Sequence, residues 1–246
     1  MRMTLVIVST ALLMPTATAA AGTGCPVGTD GPDQIYCSSS DDVHEGDGGA
    51  DLVVGRGGND SLQGGDGNDR IYGDGGMDVI SGDAGADELF GGPRADSLVG
   101  SIGNDVMEGS TGADALSGDE GWDQLDGGPD DDEMDGGEGP DRVAGGDGDD
   151  VISGGRGEDL LYGDANADRI AGGAGPDEIY GGADDDYVRL GRGLDVTLTG
   201  SGDDFVDAAD GQADRIRCGT GSDRVVADEF DRVGSGCEEV ERDEAA

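Results

Sequence analysis

The chain has 246 residues, of which 57 are acidic and 14 basic, and its formal net charge is −43. Glycine contributes 52 residues and aromatic residues only 4 %, so the composition excludes an ordinary hydrophobic core, and mutual repulsion opposes compaction. A polyanion of this kind is also repelled by phosphate groups, which excludes nucleic acid as a partner.

Residues 1–19 have the pattern of a secretory signal peptide: a basic start, an apolar run over residues 5–14 and a stretch of small residues. Cleavage after Ala19 fits best, with Ala20 and Ala21 as alternatives. The apolar run is too short to cross a bilayer. We therefore predict a secreted, extracellular protein with no integral membrane segment after cleavage.

Residues 20–45 are predicted to form an N-terminal cap. A lipid anchor at Cys25 is the alternative to a disulfide there, but Gly22-Thr23-Gly24 is a poor lead-in for one. The segment is too short for a catalytic domain. Its His44, the single histidine of the chain, is expected to be exposed rather than a ligand.

Residues 46–189 are sixteen consecutive nine-residue repeats, as in the copy from Gly64 to Tyr72. The first position is always Gly, the sixth always Asp, and the eighth Val, Ile, Leu or Met. Such a short period predicts stacked coils. We expect positions one to six to form a turn and positions seven to nine a short strand, with only the eighth residue inward. Two repeats then make one turn of an all-β, right-handed parallel β-roll solenoid.

The two rows of loops predict a repeated cation site. In each row, loops lie about 4.8 Å apart, and their sixth-position carboxylates converge with free loop carbonyls on the gaps between them. Such oxygen-only, anionic donor sets suit Ca²⁺, whereas Zn²⁺ and Cu²⁺ favour His or Cys.

The motif G-G-x-G-x-D-x-U-x resembles the hemolysin-type calcium-binding repeat of RTX proteins, whose fold is the parallel β-roll. An EF-hand is excluded because no helices flank the loops. The resemblance implies that glycine-rich turns supply backbone carbonyls and that the sixth-position aspartates supply the side-chain ligands: Asp51, Asp60, Asp69, Asp78, Asp87, Asp96, Asp105, Asp114, Asp123, Asp132, Asp141, Asp150, Asp159, Asp168, Asp177 and Asp186.

Multiple calcium ions are predicted to drive folding. Sixteen loops in two rows leave about 14 gaps between neighbours, one for each possible ion. Ions in all of them would cancel more than half of the net charge, so that binding free energy becomes folding free energy.

The two rows are expected to differ. Position four is Gly in twelve of the sixteen repeats, and its exceptions, Arg94, Asp130, Asn166 and Asp184, all fall in even-numbered repeats. If position four requires a positive φ, Asn and Asp tolerate it better than Arg. We expect a regular, high-affinity row in the odd-numbered repeats and a weaker one opposite, weakest around Asp96.

The outward ninth position carries four aromatic residues, Tyr72, Phe90, Tyr162 and Tyr180, all in odd-numbered repeats. We expect a cross-strand aromatic ladder on one sheet. A contact surface for a protein or glycan is the alternative.

Residues 190–246 are predicted to be degenerate repeats and a C-terminal cap with few or no good calcium sites. Asp195, Asp204, Asp214 and Asp223 keep the sixth position if one residue is inserted near Ala208, but the first-position glycines are lost.

Four cysteines behind a signal peptide imply disulfides, for which three connectivities exist. The ends of eight turns lie roughly 38 Å apart, too far for a bridge between them. We therefore expect Cys25–Cys37 and Cys218–Cys237, each stapling one end.

No catalytic motif is present, so we predict that the chain is not an enzyme. The function expected is that of a secreted calcium-ion-binding protein that folds on binding Ca²⁺. The alternative is an extracellular structural or adhesive protein that uses Ca²⁺ only as a folding ligand. A protein or glycan partner stays unidentified.

Overall fold

The computed structural model describes residues 24–242, so the predicted signal peptide, residues 1–19, lies outside the described residues. The described part contains 24 strands and no helix, hence no helix able to cross a membrane. The strands are β1 Gln34–Tyr36, β2 Val43–Glu45, β3 Leu52–Val54, β4 Ser61–Asp66, β5 Arg70–Tyr72, β6 Val79–Gly85, β7 Glu88–Pro93, β8 Ser97–Gly103, β9 Val106–Thr111, β10 Ala115–Gly121, β11 Gln124–Pro129, β12 Glu133–Glu138, β13 Arg142–Asp147, β14 Val151–Arg156, β15 Leu160–Ala165, β16 Arg169–Ala174, β17 Glu178–Ala183, β18 Tyr187–Arg192, β19 Val196–Ser201, β20 Phe205–Asp207, β21 Arg215–Arg217, β22 Arg224–Ala227, β23 Arg232–Val233 and β24 Glu239–Arg242.

These strands form two 12-stranded parallel sheets, one from the odd-numbered and one from the even-numbered strands. Each strand therefore pairs with the strand two places further along the chain, as Ile71 of β5 pairs with Leu89 of β7. The separation of 18 residues is two repeats, which make one turn of a parallel β-solenoid of about 12 turns. The predicted fold class is confirmed.

The core is a single stack of eighth-position side chains between the two sheets. Its members are buried, with exposures of 0–3 % from Val53 to Val188, while the seventh and ninth residues face outward. Every turn of the solenoid thus buries two aliphatic side chains, one from each sheet, and the apolar content per turn stays low.

The strands are longer than the sequence indicated. Most span six or seven residues, because positions one to three of the following repeat remain in the ladder, as in Glu88–Pro93. The expectation that positions one to six are entirely turn is therefore wrong for the first three. Position two has a positive φ in all sixteen repeats, from 64° at Asp74 to 128° at Gly182. Successive turns share this bend, so their backbone groups still pair across it, for example Gly92 with Ser110.

The coil extends on both sides of residues 46–189. Residues 28–36 already form one repeat and residues 37–45 another, and β1 and β2 pair with β3 and β4. His44 occupies the inward eighth position of this second repeat and is only 4 % exposed, so the expectation of an exposed histidine is wrong. The division of the chain into caps and a central roll stays a prediction.

The predicted one-residue insertion near Ala208 is confirmed by the register of the closing strands. Val196 of β19 pairs with Arg215 of β21, a separation of 19 residues instead of 18. The extra residue falls in the segment between β20 and β21, and the sixth-position aspartates therefore stay in phase through Asp223.

Two disulfides join neighbouring segments at the ends of the solenoid. They are Cys25–Cys37 and Cys218–Cys237, with Cα–Cα distances of 4.2 and 5.1 Å. The predicted connectivity is confirmed, and the described residues contain no free cysteine.

The aromatic ladder is also present on the odd-numbered sheet. The rings of Tyr72 and Phe90 stack with centroids 4.7 Å apart, and those of Tyr162 and Tyr180 with centroids 5.0 Å apart. Each ring uses one face within its pair, and the guanidinium group of Arg142 lies 4.6 Å from the centroid of the Tyr162 ring. These stacked pairs between neighbouring strands stabilise the sheet.

Removal of the C-terminal disulfide is expected to loosen the last turns first. Cys218→Ser with Cys237→Ser should lower the free energy of unfolding by about 2–4 kcal/mol, since the bridge restricts the unfolded chain and holds the short strands β21 and β23. Hydrogen exchange should show faster exchange from β21 to β24, with β5 to β15 unchanged. Cys25→Ser with Cys37→Ser is the matched control and should affect β1 and β3 instead. Uniform loss of protection from either pair would contradict this assignment.

Candidate metal centres

The sixth-position aspartates form two continuous ladders along the solenoid. One carboxylate oxygen, Oδ1, accepts a hydrogen bond from the backbone N–H of the equivalent aspartate one turn earlier. Asp87 N–H donates to Asp105 Oδ1 at 2.8 Å, and Asp105 N–H donates to Asp123 Oδ1 at 2.8 Å. Between Asp51 and Asp186 all sixteen predicted site residues take part, and each is at most 4 % exposed. The structure therefore brings the whole predicted set together in two buried rows.

The second carboxylate oxygen of each of these residues is buried without a partner. Oδ2 of all sixteen aspartates makes no hydrogen bond, and the same holds for Asp195, Asp204, Asp214 and Asp223. A buried carboxylate oxygen without a donor is costly, because its lost hydration is not replaced. Twenty such oxygens in regular rows require positive charge that the polypeptide itself does not supply.

At the N-terminal end of the two rows, protein donors supply what the central turns lack. Asp33 Oδ2 accepts from the N–H and the hydroxyl of Thr29, at 2.8 and 2.7 Å. Asp42 Oδ2 accepts from the N–H and the hydroxyl of Ser38, both at 2.8 Å.

At the C-terminal end, the row of the odd-numbered repeats is closed in the same way. Asp231 Oδ2 accepts from the N–H of Asp228 at 2.8 Å, and Asp228 Oδ2 accepts from the N–H of Gly211 at 2.7 Å. The orphaned oxygens of this row therefore lie between two protein-capped ends, which argues for a bound cation rather than for poor packing. The other row ends at Glu238, whose exposed carboxylate accepts a hydrogen bond from the N–H of Asp223 at 2.9 Å.

Glycine at position one keeps the space around Oδ2 open. A Cβ on Gly100 would lie 2.5 Å from Asp105 Oδ2 and 2.9 Å from the carbonyl oxygen of Gly118 on the next turn. Both contacts are too short for a carbon atom, so any side chain here would displace the carboxylate or the neighbouring backbone. The invariant first glycine thus preserves a carboxylate and a carbonyl oxygen facing one small space.

Burial raises the pKa of these carboxyl groups. The donated backbone N–H counteracts this, and neighbouring carboxylates in the row raise the pKa further. The pKa of Asp168 is raised to about 8 and those of Asp87 and Asp141 to about 7. At neutral pH and without another cation, the carboxyl groups with pKa values of about 7 or 8 are partly protonated.

The donor set fits a hard divalent cation. Among residues 24–242, the only group of three or more His, Cys, Asp or Glu ligand atoms close enough to share an ion is Cys25, Cys37 and Asp42, and its cysteines form a disulfide. No three carboxylates meet in the rows, so a site there combines carboxylates with backbone carbonyls. Oxygen donors of these two kinds, in a backbone rich in glycine, match the coordination of Ca²⁺.

The two rows of loops differ at position four. In the odd-numbered repeats this position is always Gly, and from Gly67 to Gly175 an added Cβ would lie 1.4–1.9 Å from the carbonyl oxygen of the equivalent glycine one turn earlier. In the even-numbered repeats, Arg94, Asp130 and Asp184 have φ of 88°, 90° and 75°, and Asn166 has 81°. The expected positive φ at these four positions is confirmed.

The sequence interpretation missed Asp33 and Asp42, which begin the two ladders. The first could have been found, because residues 28–33 already read Gly-Thr-Asp-Gly-Pro-Asp. The second follows Cys37-Ser38-Ser39-Ser40-Asp41, where no glycine marks the repeat. The closing aspartates from Asp195 to Asp223 share the orphaned oxygen, but Leu190 and Thr199 replace the first-position glycines.

A β-roll with two rows of stacked, buried aspartates in glycine-rich loops defines a class of repeat proteins built around cation-binding loops. A family model described as the RTX calcium-binding nonapeptide repeat matches this chain in eight overlapping segments from residue 27 to residue 196: 27–53, 45–80, 63–98, 73–107, 99–134, 126–161, 135–170 and 162–196. The chain belongs to this family. A search of curated proteins finds no significant match.

The calcium-free roll is expected to become less stable as pH rises. The raised carboxyl pKa values mean that the folded state binds more protons than the unfolded chain between the ordinary value of 3.8 and about 8. The protons' contribution to stability is full below that ordinary value and is lost as pH passes through the folded pKa values of about 6–8. In EDTA, far-UV circular dichroism should therefore show more β-structure at pH 5.5 than at pH 8.

Saturating calcium provides the control, because the β-signal should then change little between the two pH values. A β-signal in EDTA that stayed constant or increased with pH would contradict the burial of these carboxyl groups.

Proposed function

We propose that this chain is a secreted calcium-ion-binding protein whose β-roll forms when several Ca²⁺ bind between neighbouring loops. One observation carries the proposal: a row of buried carboxylate oxygens without donors, bounded at both ends by carboxylates that protein groups satisfy. Membership of the RTX calcium-binding repeat family supports the identity of the ion. The proposed side-chain ligands are the sixteen sixth-position aspartates from Asp51 to Asp186.

Calcium fits these loops better than the other common divalent ions. Ca²⁺ accepts six to eight oxygen ligands at about 2.3–2.6 Å in variable geometry, whereas Mg²⁺ requires a tight octahedron and retains water. Zn²⁺ and Cu²⁺ favour nitrogen and sulfur ligands, and the four cysteines are bonded in pairs. The loops present carboxylates and glycine carbonyls on a repeating backbone that places no strict octahedron around any one point.

The same ions supply the driving force for folding. The solenoid buries about two aliphatic side chains per turn, and the formal net charge of the chain is −43. Without cations, each additional turn brings two more carboxylates into the rows against little hydrophobic gain. With cations, each turn gains metal–oxygen bonds and loses repulsion, so metal binding and folding become one process.

At pH 8, the chain in EDTA is expected to be largely unfolded and to become β-rich and compact on addition of millimolar Ca²⁺. Mg²⁺ at the same concentration should not replace it, because the loops cannot close to an octahedral shell. Far-UV circular dichroism and small-angle X-ray scattering measure the two properties. A β-rich, compact chain in EDTA at this pH would show that folding does not depend on the ion.

The row of the odd-numbered repeats is proposed to bind calcium more tightly. Its position-four glycines place each carbonyl oxygen directly against the next loop, turn after turn. The opposite row is interrupted by four side chains, of which Arg94 adds a cation beside the neighbouring gaps. A repelling charge and an irregular backbone both lower the affinity for a second cation.

Asp105→Asn and Asp96→Asn test the difference between the rows. Asn removes the negative charge and retains an acceptor for the N–H of the preceding turn, so the ladder hydrogen bond survives. We expect Asp105→Asn to weaken calcium binding about tenfold at the affected sites and Asp96→Asn to do so less. Calorimetric titration should resolve two classes of site in the parent protein. Equal losses from both substitutions would refute the unequal rows and leave the β-roll itself unaffected.

Secretion is proposed from the two disulfides together with the signal pattern of residues 1–19. Calcium at millimolar concentration is an extracellular condition, and folding would then follow export.

RTX β-rolls are typically calcium-binding and structural. We propose such a non-enzymatic role for this chain, with a structural or adhesive protein, for which calcium is only a folding ligand, as the alternative.

A further inference from the structure

Three arginines lie side by side on the outer face of the odd-numbered sheet near its C-terminal end. Arg215 and Arg217 are the outward residues of β21, and Arg232 of β23 is the direct cross-strand partner of Arg215. All three side chains are exposed. We call Arg215, Arg217 and Arg232 the arginine face.

The arginine face contains no compensating acidic side chain. Within residues 24–242, none of its three guanidinium groups forms an ion pair or a hydrogen bond. By contrast, three other arginines of the chain, at positions 70, 156 and 224, pair with glutamates on neighbouring strands. Like charges directly opposite one another destabilise a sheet. An external anion would stabilise three cations left adjacent in this way, in a chain with 57 acidic residues.

Exposed apolar side chains border the same surface. Val196 and Leu198 of β19 are 39 % and 41 % exposed, and Leu194 and Phe230 in the adjacent loops are 64 % and 56 % exposed. On the outer face of β19, β21 and β23, no acidic residue occupies the outward positions of the strands. Clustered exposed apolar residues beside unpaired cations indicate a binding surface rather than ordinary solvent-facing sheet.

Two adjoining hollows lie on this surface, one lined mainly by the arginine face and the other mainly by the apolar residues. The first, of about 620 Å³, is lined by the arginine face together with Leu198, Gly234 and Ser235. The second, of about 440 Å³, is lined by Leu194, Val196 and Phe230 together with two members of the arginine face, Arg215 and Arg232. Volumes of this size accommodate a small organic ligand. The first hollow suits a charged head group and the second an apolar body.

Among the described residues, the acidic groups near the hollows form no ion pair with the arginine face, although Glu178 lines a neighbouring hollow with Arg215 and Arg217. Asp195 and Asp214, which line the second hollow, belong to the buried aspartate ladder and are each 1 % exposed. Glu178, which lies in the same cross-strand row as Arg215, accepts a hydrogen bond from the hydroxyl of Tyr180. The guanidinium groups therefore remain available for a ligand.

We propose that the arginine face and the apolar residues beside it bind a compact anionic amphiphile. Its sulfate, phosphate or carboxylate group lies among Arg215, Arg217 and Arg232, and its alkyl or aryl body lies on Leu194, Val196 and Phe230. Guanidinium groups bind such oxyanions through charge-assisted, often bidentate hydrogen bonds. A large polyanion fits less well, because the rest of the roll repels it. This inference does not rest on calcium binding by the loops.

Octyl sulfate below its micelle concentration is a suitable probe, with octyl glucoside and inorganic sulfate as the neutral and head-group controls. Calorimetry is performed under the conditions in which circular dichroism shows the roll to be folded. We expect octyl sulfate to bind with one site per chain and more tightly than either control. Arg215→Gln with Arg232→Gln should weaken binding at least about tenfold, as loss of hydrogen bonds to a charged group does.

Leu194→Ser with Phe230→Ser should also weaken the binding of octyl sulfate. The matched controls are Arg156→Gln, an exposed arginine paired with Glu138, and Ile102→Ser, which is 59 % exposed on the other sheet. Neither control should change the affinity.

Vesicles identify the source of the anion. Capture on vesicles of anionic phospholipid, lost in Arg215→Gln with Arg232→Gln, would assign the head group to a lipid. Binding of the monomer without capture would assign it to a free amphiphile. Three outcomes would overturn the proposal. The first is unchanged affinity in the double arginine variant, and the second is equal binding of octyl glucoside or inorganic sulfate. The third is no binding either of octyl sulfate in calorimetry or of the protein to vesicles.

Discussion

The structure depends on one repeated interaction, the hydrogen bond from the backbone N–H of each buried aspartate to the carboxylate of the aspartate one turn later. It uses one oxygen of each carboxylate and leaves the other without a donor. The same residue therefore links neighbouring turns and presents a free oxygen for the proposed cation. If that oxygen binds Ca²⁺ as proposed, cohesion along the axis and ion binding both come from the two oxygens of a single side chain.

Glycine serves this arrangement in two different ways. At position one, the φ of residues such as Gly100 is ordinary, and glycine is needed because a Cβ would collide with Asp105 Oδ2 and with the next turn. At position two, the backbone itself is left-handed, and Asp, Ser and Arg occupy it as well as Gly. The position that tolerates substitution in the sequence is thus the one that requires a left-handed backbone, which its non-glycine residues adopt with φ of 64–82°. The invariant position is the one where space is shared with the carboxylate.

The phase of Gly, Asp and the aliphatic residue was sufficient to predict the fold, the two sheets and the two rows of aspartates, and the length of the roll then gave the disulfide pairs. The burial of the aspartates was not predicted, because only the eighth position was expected to face inward. The first two repeats, residues 28–36 and 37–45, were harder to predict from the sequence. Residues 37–45 have Cys instead of Gly at the first position and His44 instead of an aliphatic residue at the eighth, so only the pairing with Leu62 places them in the coil. The end caps at Thr29 and Ser38 and the arginine face depend on contacts between different turns. The nine-residue pattern of a single repeat does not predict such contacts.

Strands alternate between the two sheets with every repeat, and this alternation limits how such a chain can change in length. Insertion or deletion of 18 residues adds or removes one complete turn and leaves every other strand on its own sheet. A change of nine residues would instead transfer all later strands to the opposite sheet. The aromatic pairs would then be divided between two surfaces, and the C-terminal disulfide would meet the other edge of the coil. The single extra residue between β20 and β21 avoids this, because a loop absorbs it without exchanging the sheets. Lengthening of this protein is therefore restricted to whole turns, because only a multiple of 18 residues leaves every later strand on the same sheet.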